Sequence, residues 1–302
     1  MEWPFTIAIT DLPDGPHSFN EWRELLMTMS SDKILRIRRT GLPPMSLHQL
    51  AMCNFMPDVG QLRRTALDYG FDGIDWTLKL DDLPNNGVDE RSLLRRVSHL
   101  RPLKVRYHCA FNGIDLGNAD LFKAEEAVSI FRRACQLVSR LEGEFMTIHL
   151  GLGRESYDDI VWDNSVNALG ELVCYAAGIG VRVCLENLAS GWSSRPELFE
   201  KLIRLSGAGV TLDIGHARMS PSVQSQFYSF EDFITPHPDN IFNAHIYHEE
   251  VNEGHVAPES LEDLRERLEL LMPLPCDWWV LELREAGALS ATLEVVRRFL
   301  GT

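Results

Sequence analysis

Six apolar segments of this chain end in a histidine, a carboxylate or both. They are Tyr107-His108-Cys109, Thr147-Ile148-His149, Cys184-Leu185-Glu186-Asn187, Thr211-Leu212-Asp213-Ile214-Gly215-His216, Asn243-Ala244-His245 and Val280-Leu281-Glu282. Taken singly, each has an ordinary explanation. A lone histidine at a strand end is commonly a hydrogen-bonded core or surface residue, and a lone inward acid commonly pairs with an arginine, such as Arg106 or Arg182. Six repetitions weaken that explanation, because converging carboxylates repel one another unless they are paired or bind a cation. Imidazole nitrogen and carboxylate oxygen together suit Zn²⁺, Mn²⁺, Fe²⁺ or Co²⁺, whereas Ca²⁺ takes more oxygen. Two features extend the set. Asp213-x-x-His216 places a histidine one tight turn beyond a strand end, with Gly215 expected to permit the turn. Glu253-Gly254-His255 supplies another acid and imidazole, expected on a loop, and His248, Glu249 and Glu250 nearby leave the liganding pair open.

The elements that must position these groups read as alternating strand and helix. Strand-like segments are expected at Gln49–Phe55, Gly73–Leu78, Lys104–Phe111, Phe145–Leu150, Val181–Asn187, Gly209–Ile214, Ile241–Tyr247 and Trp278–Leu283. Helical spacing fills the intervals, as in Ala124–Phe131 and Leu261–Leu271, with start signals at Pro196-Glu197 and Pro258-Glu259. Eight such repeats give a (β/α)8 TIM barrel, in the α/β class, whose active site lies at the C-terminal ends of the strands. Side chains alternate along a strand, so Val181, Val183 and Leu185 face the helices while Arg182, Cys184 and Glu186 face inward. By the same rule Thr211 and Asp213, and Val280, Glu282 and Arg284, face inward, and Trp76, in step with Ile74, faces the helices as core. Residues 1–45 are left as an N-terminal extension, with a strand at Phe5–Ile9, a helix at Asn20–Met29 and a strand-like piece at Ile34–Arg39; residues 46–302 form the barrel. Two separate doubly wound domains would need a mid-chain linker, and the sequence has none.

Composition narrows the function classes. The 302 residues carry a formal net charge of −15, which disfavours a nucleic-acid or anionic-membrane surface. The figure overstates the working charge if some acids bind divalent cations. No apolar run of membrane-spanning length occurs, and Met1-Glu2-Trp3-Pro4 lacks a signal-peptide pattern. Six cysteines without CxxC spacing suggest buried free thiols in a reducing cytoplasm.

The motifs Val210-Thr211-Leu212-Asp213-Ile214-Gly215-His216-Ala217 and Cys184-Leu185-Glu186-Asn187, with the glutamate near the end of the last strand, resemble the xylose isomerase-like TIM-barrel superfamily. The likeness covers about residues 49–302. It implies a single divalent metal held by Glu186, Asp213, His245 and Glu282, with Glu186 and Glu282 also exchanging protons at the carbon beside a substrate carbonyl. It further implies a small carbohydrate-like substrate, oriented by His149 or His216 and held at a distal anionic group by Arg284; Asn187 is expected to contact it, and Trp192, carried on the polar loop Ala189–Ser194, to form a wall of the pocket. Endonuclease IV, in the same superfamily, implies an alternative: a multinuclear site of His108, His149, Glu186, Asp213, His216, His245, Glu253, His255 and Glu282 that hydrolyses a phosphodiester. Departures from that branch are Tyr247-His248 after His245, Val256-Ala257-Pro258 after His255, and the absence of a basic phosphate track; Arg154, Arg218 and Arg284 are scattered singles. The expected function is therefore a metal-dependent isomerase or epimerase acting through an enediolate, ahead of the phosphodiesterase and of a non-catalytic ligand-binding barrel.

Overall fold

A computed structural model describes residues 48–152, 157–251 and 254–302. The three elements expected within the first 45 residues, together with Arg154 and Glu253, lie outside the described residues. Eight parallel strands close a barrel: β1 (Gln49–Cys53), β2 (Gly73–Leu78), β3 (Lys104–Cys109), β4 (Phe145–Ile148), β5 (Arg182–Glu186), β6 (Gly209–Asp213), β7 (Ile241–Ile246) and, last in the chain, β10 (Trp278–Leu281). Around the barrel the order is β1-β10-β7-β6-β5-β4-β3-β2. All eight expected strands form, each somewhat shorter at its end or of equal length.

Helices return the chain between strands: α1 (Val59–Asp68), α2 (Gly87–Ser98), α3 (Leu121–Arg140), α4 (Trp162–Ala177), α5 (Pro196–Ser206), the short α6 (Ile214–Met219) and α7 (Pro221–Gln224), α8 (Arg265–Leu271) and α9 (Ala286–Leu300). Their starts are written in the sequence. Asp58, Asn86, Asp120 and Glu285 each accept a backbone N–H of the first turn, and Pro196 opens α5 at a position needing no N–H. Gly207 and Gly301 end α5 and α9 at φ +73°, in the left-handed region. The expected helix at 261–271 is divided: Leu261–Asp263 forms a 3₁₀ turn, and the α-helix begins only at Arg265. Asp263 explains the division, since its carboxylate accepts the Glu259 and Ser260 N–H groups and closes a separate turn, so Pro258-Glu259 does not start the helix. The segment expected as a loop after the seventh strand is instead an antiparallel hairpin, β8 (Glu249–Val251) and β9 (Gly254–Val256). Among the described residues no helix is long and apolar enough to cross a membrane.

The barrel interior is layered two residues at a time. Arg106 sits low, donating to Phe242 O and Asn243 Oδ1 and stacking on Phe145 and Trp278. Beside it Thr147, Thr211 and Asn243 bond to one another across the barrel, with Thr147 Oγ1 2.7 Å from Thr211 Oγ1 and Asn243 Nδ2 3.0 Å from it. Ala51, Cys53, Trp278 and Val280 pack as a separate apolar cluster. Gly73 makes room for Trp278, because a Cβ there would stand 2.3 Å from its ring. Two residues further along each strand comes the polar layer: Asp75, His108, His149, Glu186, Asp213, His245 and Glu282, all buried. The outward residues Ile74, Trp76, Val183, Leu185, Val210, Leu212 and Leu281 join the core beneath the helices.

Candidate functional site

Seven strands therefore deliver seven titratable groups to one small volume, six of them at or just beyond a strand end and Asp75 from within β2. One ligand atom from each of Glu186, Asp213, His245 and Glu282 lies within 4.8 Å of the other three. His245 Nδ1 is the hub, at 2.9 Å from Glu282 Oε2, 3.4 Å from Glu186 Oε1 and 3.8 Å from Asp213 Oδ2. A second group shares Glu186: His108 Nε2 and His149 Nε2 are 3.1 Å apart and lie 3.4 and 3.2 Å from Glu186 Oε2. A third sits toward the hairpin, where His216 Nε2 is 3.3 Å from Glu250 Oε2 and His255 completes the set.

Backbone devices hold these groups. Asn187 follows Glu186 and is fully buried; its Nδ2 donates to Asp213 O (2.9 Å) and its Oδ1 accepts from Asp213 N (2.8 Å). Expected to contact substrate, it has both ends of its amide engaged in tying the end of β6 to the end of β5. Asp213 caps α6, accepting the His216 N–H through Oδ1 at 2.7 Å, which leaves Oδ2 to the cluster. His216 Nδ1 meets the Asn187 carbonyl at 3.0 Å, and its other nitrogen faces Glu250. His255 Nδ1 meets the Glu282 carbonyl at 2.6 Å while its ring stacks on Tyr247, centroids 3.9 Å apart. Gly215 is needed for a different reason from the one expected. Its backbone is ordinary helix, but a Cβ would stand 2.0 Å from the Tyr247 ring.

The electrostatics follow from burial opposed by neighbours. Burial raises the carboxyl pKa of Glu186, yet His245, His149 and His108 outweigh it and hold the group well below the usual range. Glu282 is likewise held down, burial being overcome by His245 and His255. Burial disfavours the charged form of His245, but Glu186 and Glu282 prevail and raise its pKa well above the ordinary value. His216 is raised well above it by Asp213, Glu186 and Glu250 against the same burial, whereas His149 is lowered because burial dominates there. Neither arginine offered by the ordinary explanation reaches the acids. Arg106 pairs with Asp277 below the cluster, and Arg182 lies over the Phe242 ring. Among the described residues, every recorded ion-pair partner of Glu186, Asp213 and Glu282 is a histidine.

Of the remaining expected contacts, Arg284 is exposed just beyond β10, and Trp192 is half-buried in a 3₁₀ turn against Tyr157 and Trp162. The sequence reading missed Asp75 and left Glu250 as one of three undecided neighbours of Glu253-Gly254-His255. Asp75 occupies the same inward alternation that placed Ile74 and Trp76 outward, so the signal was present. Glu250 becomes visible only once the hairpin turns β8 toward His216. Metal donors are well represented here. Glu186 Oε2, Asp213 Oδ2, Glu282 Oε2 and His245 Nδ1 are buried without a hydrogen-bond partner, and the oxygen and nitrogen set fits a divalent transition metal.

Comparison with known proteins agrees with the architecture. An uncharacterized protein of Methanocaldococcus jannaschii is 25% identical over 165 residues, which is 54% of this chain and 70% of that protein. An L-ribulose 3-epimerase structure superposes with a TM-score of 0.64 at 18% identity, covering 84% of this chain and 94% of the other. A D-allulose 3-epimerase from Methylomonas sp., in complex with D-allulose, gives 0.65 at 14% identity, covering 85% and 98%. A 3-keto-D-glucoside 4-epimerase from E. coli gives 0.60 at 13% identity, covering 84% and 99%. The model of the xylose isomerase-like TIM barrel family matches residues 64–279, most of the described barrel, and the chain belongs to that family.

Proposed function

We propose that the protein is a divalent-metal-dependent isomerase or epimerase of a small sugar, sugar phosphate or related ketone. The observation that carries this reading is the buried Glu186, Asp213, His245 and Glu282 set, whose unpartnered atoms converge with histidines as their counter-charges among the described residues. These four residues would hold the ion. When bound there, a divalent cation polarises neighbouring carbonyl and hydroxyl oxygens and stabilises the negative charge of an enediolate. The remaining chemistry belongs to the chain. Glu186 and Glu282 stand three strands apart around the rim, on either side of Asp213 and His245. One carboxylate takes the proton from the carbon beside the carbonyl, and the other returns a proton to the opposite face, which inverts that centre. Return by the same carboxylate to the adjacent carbon isomerises instead. His149 orients a substrate oxygen, Arg284 holds a distal anionic group in solvent, and Trp192 belongs to the wall of the pocket. The epimerase names of the fold neighbours support the same class of small ketose substrate.

One observation favours a second reading. The groups around His108–His149 and His216–Glu250–His255 flank the central four, as a multinuclear phosphodiesterase would require. The acidic chain and its scattered single arginines favour the first reading over one with a nucleic-acid partner.

The test is solvent exchange. Protein reconstituted with Zn²⁺, Mn²⁺ or Co²⁺ is incubated in D₂O with a panel of ketoses and ketose phosphates and followed by NMR. The expected result is metal-dependent loss of the α-carbon proton signal. No exchange with any member, together with cleavage of a model phosphodiester, would transfer the assignment to the second reading.

A further inference from the structure

Asp75 is the one acid of the polar layer that neither the strand-end motifs nor the family resemblance assigns. It lies on β2, 1% exposed, and its Oδ2 is buried without a hydrogen-bond partner. That oxygen is 3.4 Å from His108 Nδ1, also buried and without a hydrogen-bond partner. The other nitrogen of the ring, Nε2, faces away toward His149 Nε2 at 3.1 Å and Glu186 Oε2 at 3.4 Å. His108 thus bridges two acids, one at each nitrogen. Among the described residues, Glu282 Oε1 is the one other acid oxygen facing Nδ1, at 4.0 Å, and the His245 ring lies alongside at 5.1 Å between centroids.

A neutral imidazole carries one proton, so one nitrogen donates and the other offers a lone pair. If the proton sat on Nε2, it would bond to Glu186 Oε2 and close off that side of the glutamate. With the proton on Nδ1, the Nε2 lone pair and the Glu186 oxygen point into the same space, which is filled either by a proton on His149 Nε2, 3.1 Å away, or by a cation that takes its place. Ligating histidines in general depend on an acceptor behind the ring to fix this choice. We propose that Asp75 is a positioning residue of the centre: its carboxylate accepts the Nδ1–H of His108 and so presents Nε2 to the cation-binding space shared with Glu186 and His149. The inference rests on the metal-dependent reading above, and its test separates the two.

The experiment compares the full-length wild type with Asp75→Asn and Asp75→Ala. Circular dichroism and thermal melting establish that each variant is folded. Long-range ¹H–¹⁵N spectra of the Zn²⁺-loaded proteins report which nitrogen of His108 is protonated, with His108→Gln supplying the assignment. Co²⁺ titration, read from its visible absorption bands, reports affinity and ligand field. The expected wild-type result is a proton on Nδ1. Co²⁺ binding should weaken by roughly 10- to 100-fold in Asp75→Ala, and by less in Asp75→Asn, whose amide oxygen can still accept. A wild-type proton on Nε2, or folded variants with unchanged tautomer, affinity and Co²⁺ spectrum, would overturn the proposal. Failure of the wild type to take up Co²⁺ or Zn²⁺ overturns the metal-dependent reading; the tautomer measured on the metal-free protein then decides the role of Asp75.

Discussion

Replacing Asn187 by alanine tests how the strand ends are locked together. The side chain is fully buried and spans from β5 to β6 through two short bonds, 2.9 Å to Asp213 O and 2.8 Å from Asp213 N. The last paired residues of the two strands are Glu186 and Thr211, so the Asn187 amide reaches from one residue beyond that pairing on β5 to two residues beyond it on β6. Alanine removes both bonds and leaves buried Asp213 backbone groups without these partners. A buried group left unsatisfied costs about 1–3 kcal/mol, and two such losses, softened by relaxation, give about 2–4 kcal/mol. At about 2–4 °C per kcal/mol for a large domain, the melting temperature should fall by roughly 5–15 °C. The clearest assay is urea unfolding with a chelator present, so that linkage to bound metal does not enter. The midpoint should fall with little change in slope. Asn187→Asp should be no milder, because it sets a carboxylate oxygen against the Asp213 carbonyl where the amide donated. A loss below about 0.5 kcal/mol for alanine, within the range of inert surface substitutions, would refute the clamp.

Other consequences follow from the same geometry. Gly215→Ala forces a Cβ to within 2.0 Å of the Tyr247 ring, an overpacking that should cost about 1–3 kcal/mol; pairing it with Tyr247→Ala should recover part of the loss, and urea unfolding of the single and double variants checks this. The raised pKa values of His245 and His216 mean that, without metal, both histidines stay protonated to above their ordinary range. Their share of stability is present below the unfolded value and is lost as pH rises through the raised ones, while that of Glu186 and Glu282 is lost as pH falls through their lowered values. The gain in melting temperature on adding Zn²⁺ or Mn²⁺ should therefore grow as pH rises above the ordinary histidine range, and a gain independent of pH would contradict the assignment. Among the six cysteines only Cys174 is exposed, and burial pushes the thiols of Cys135, Cys184 and Cys276 up to about 12. An aromatic disulfide reagent should thus titrate one thiol quickly in the native protein and the other five only on unfolding.

Much of this was legible because two periods coincide in the sequence. Alternation along a strand told inward from outward residues, so Glu186, Asp213 and Glu282 were assigned to the interior from their apolar neighbours alone. The same alternation includes Asp75, which was overlooked because it lies inside the strand Gly73–Leu78 rather than at its end. Glu250 was named but could not be told from His248 and Glu249, for another reason. Its approach to His216 depends on the β8–β9 hairpin, whose short strands carry too little periodicity to read, and Arg267 anchors that hairpin from a distant helix by donating to His248 O. Gly215 was correctly singled out on the wrong ground, since its constraint comes from Tyr247, a contact 32 positions along the chain that no local pattern records. The division of the helix at Asp263 shows side-chain capping overriding helical spacing.

The central claim is that Glu186, Asp213, His245 and Glu282 hold a divalent metal ion. Elemental analysis of protein purified without chelators, for the wild type and Glu186→Gln side by side, tests it most directly. The account expects at least one tightly held divalent transition-metal ion per wild-type chain and its loss in the variant, with the fold retained. A wild type that holds no such ion even after reconstitution, or a variant that keeps its full complement, would contradict it.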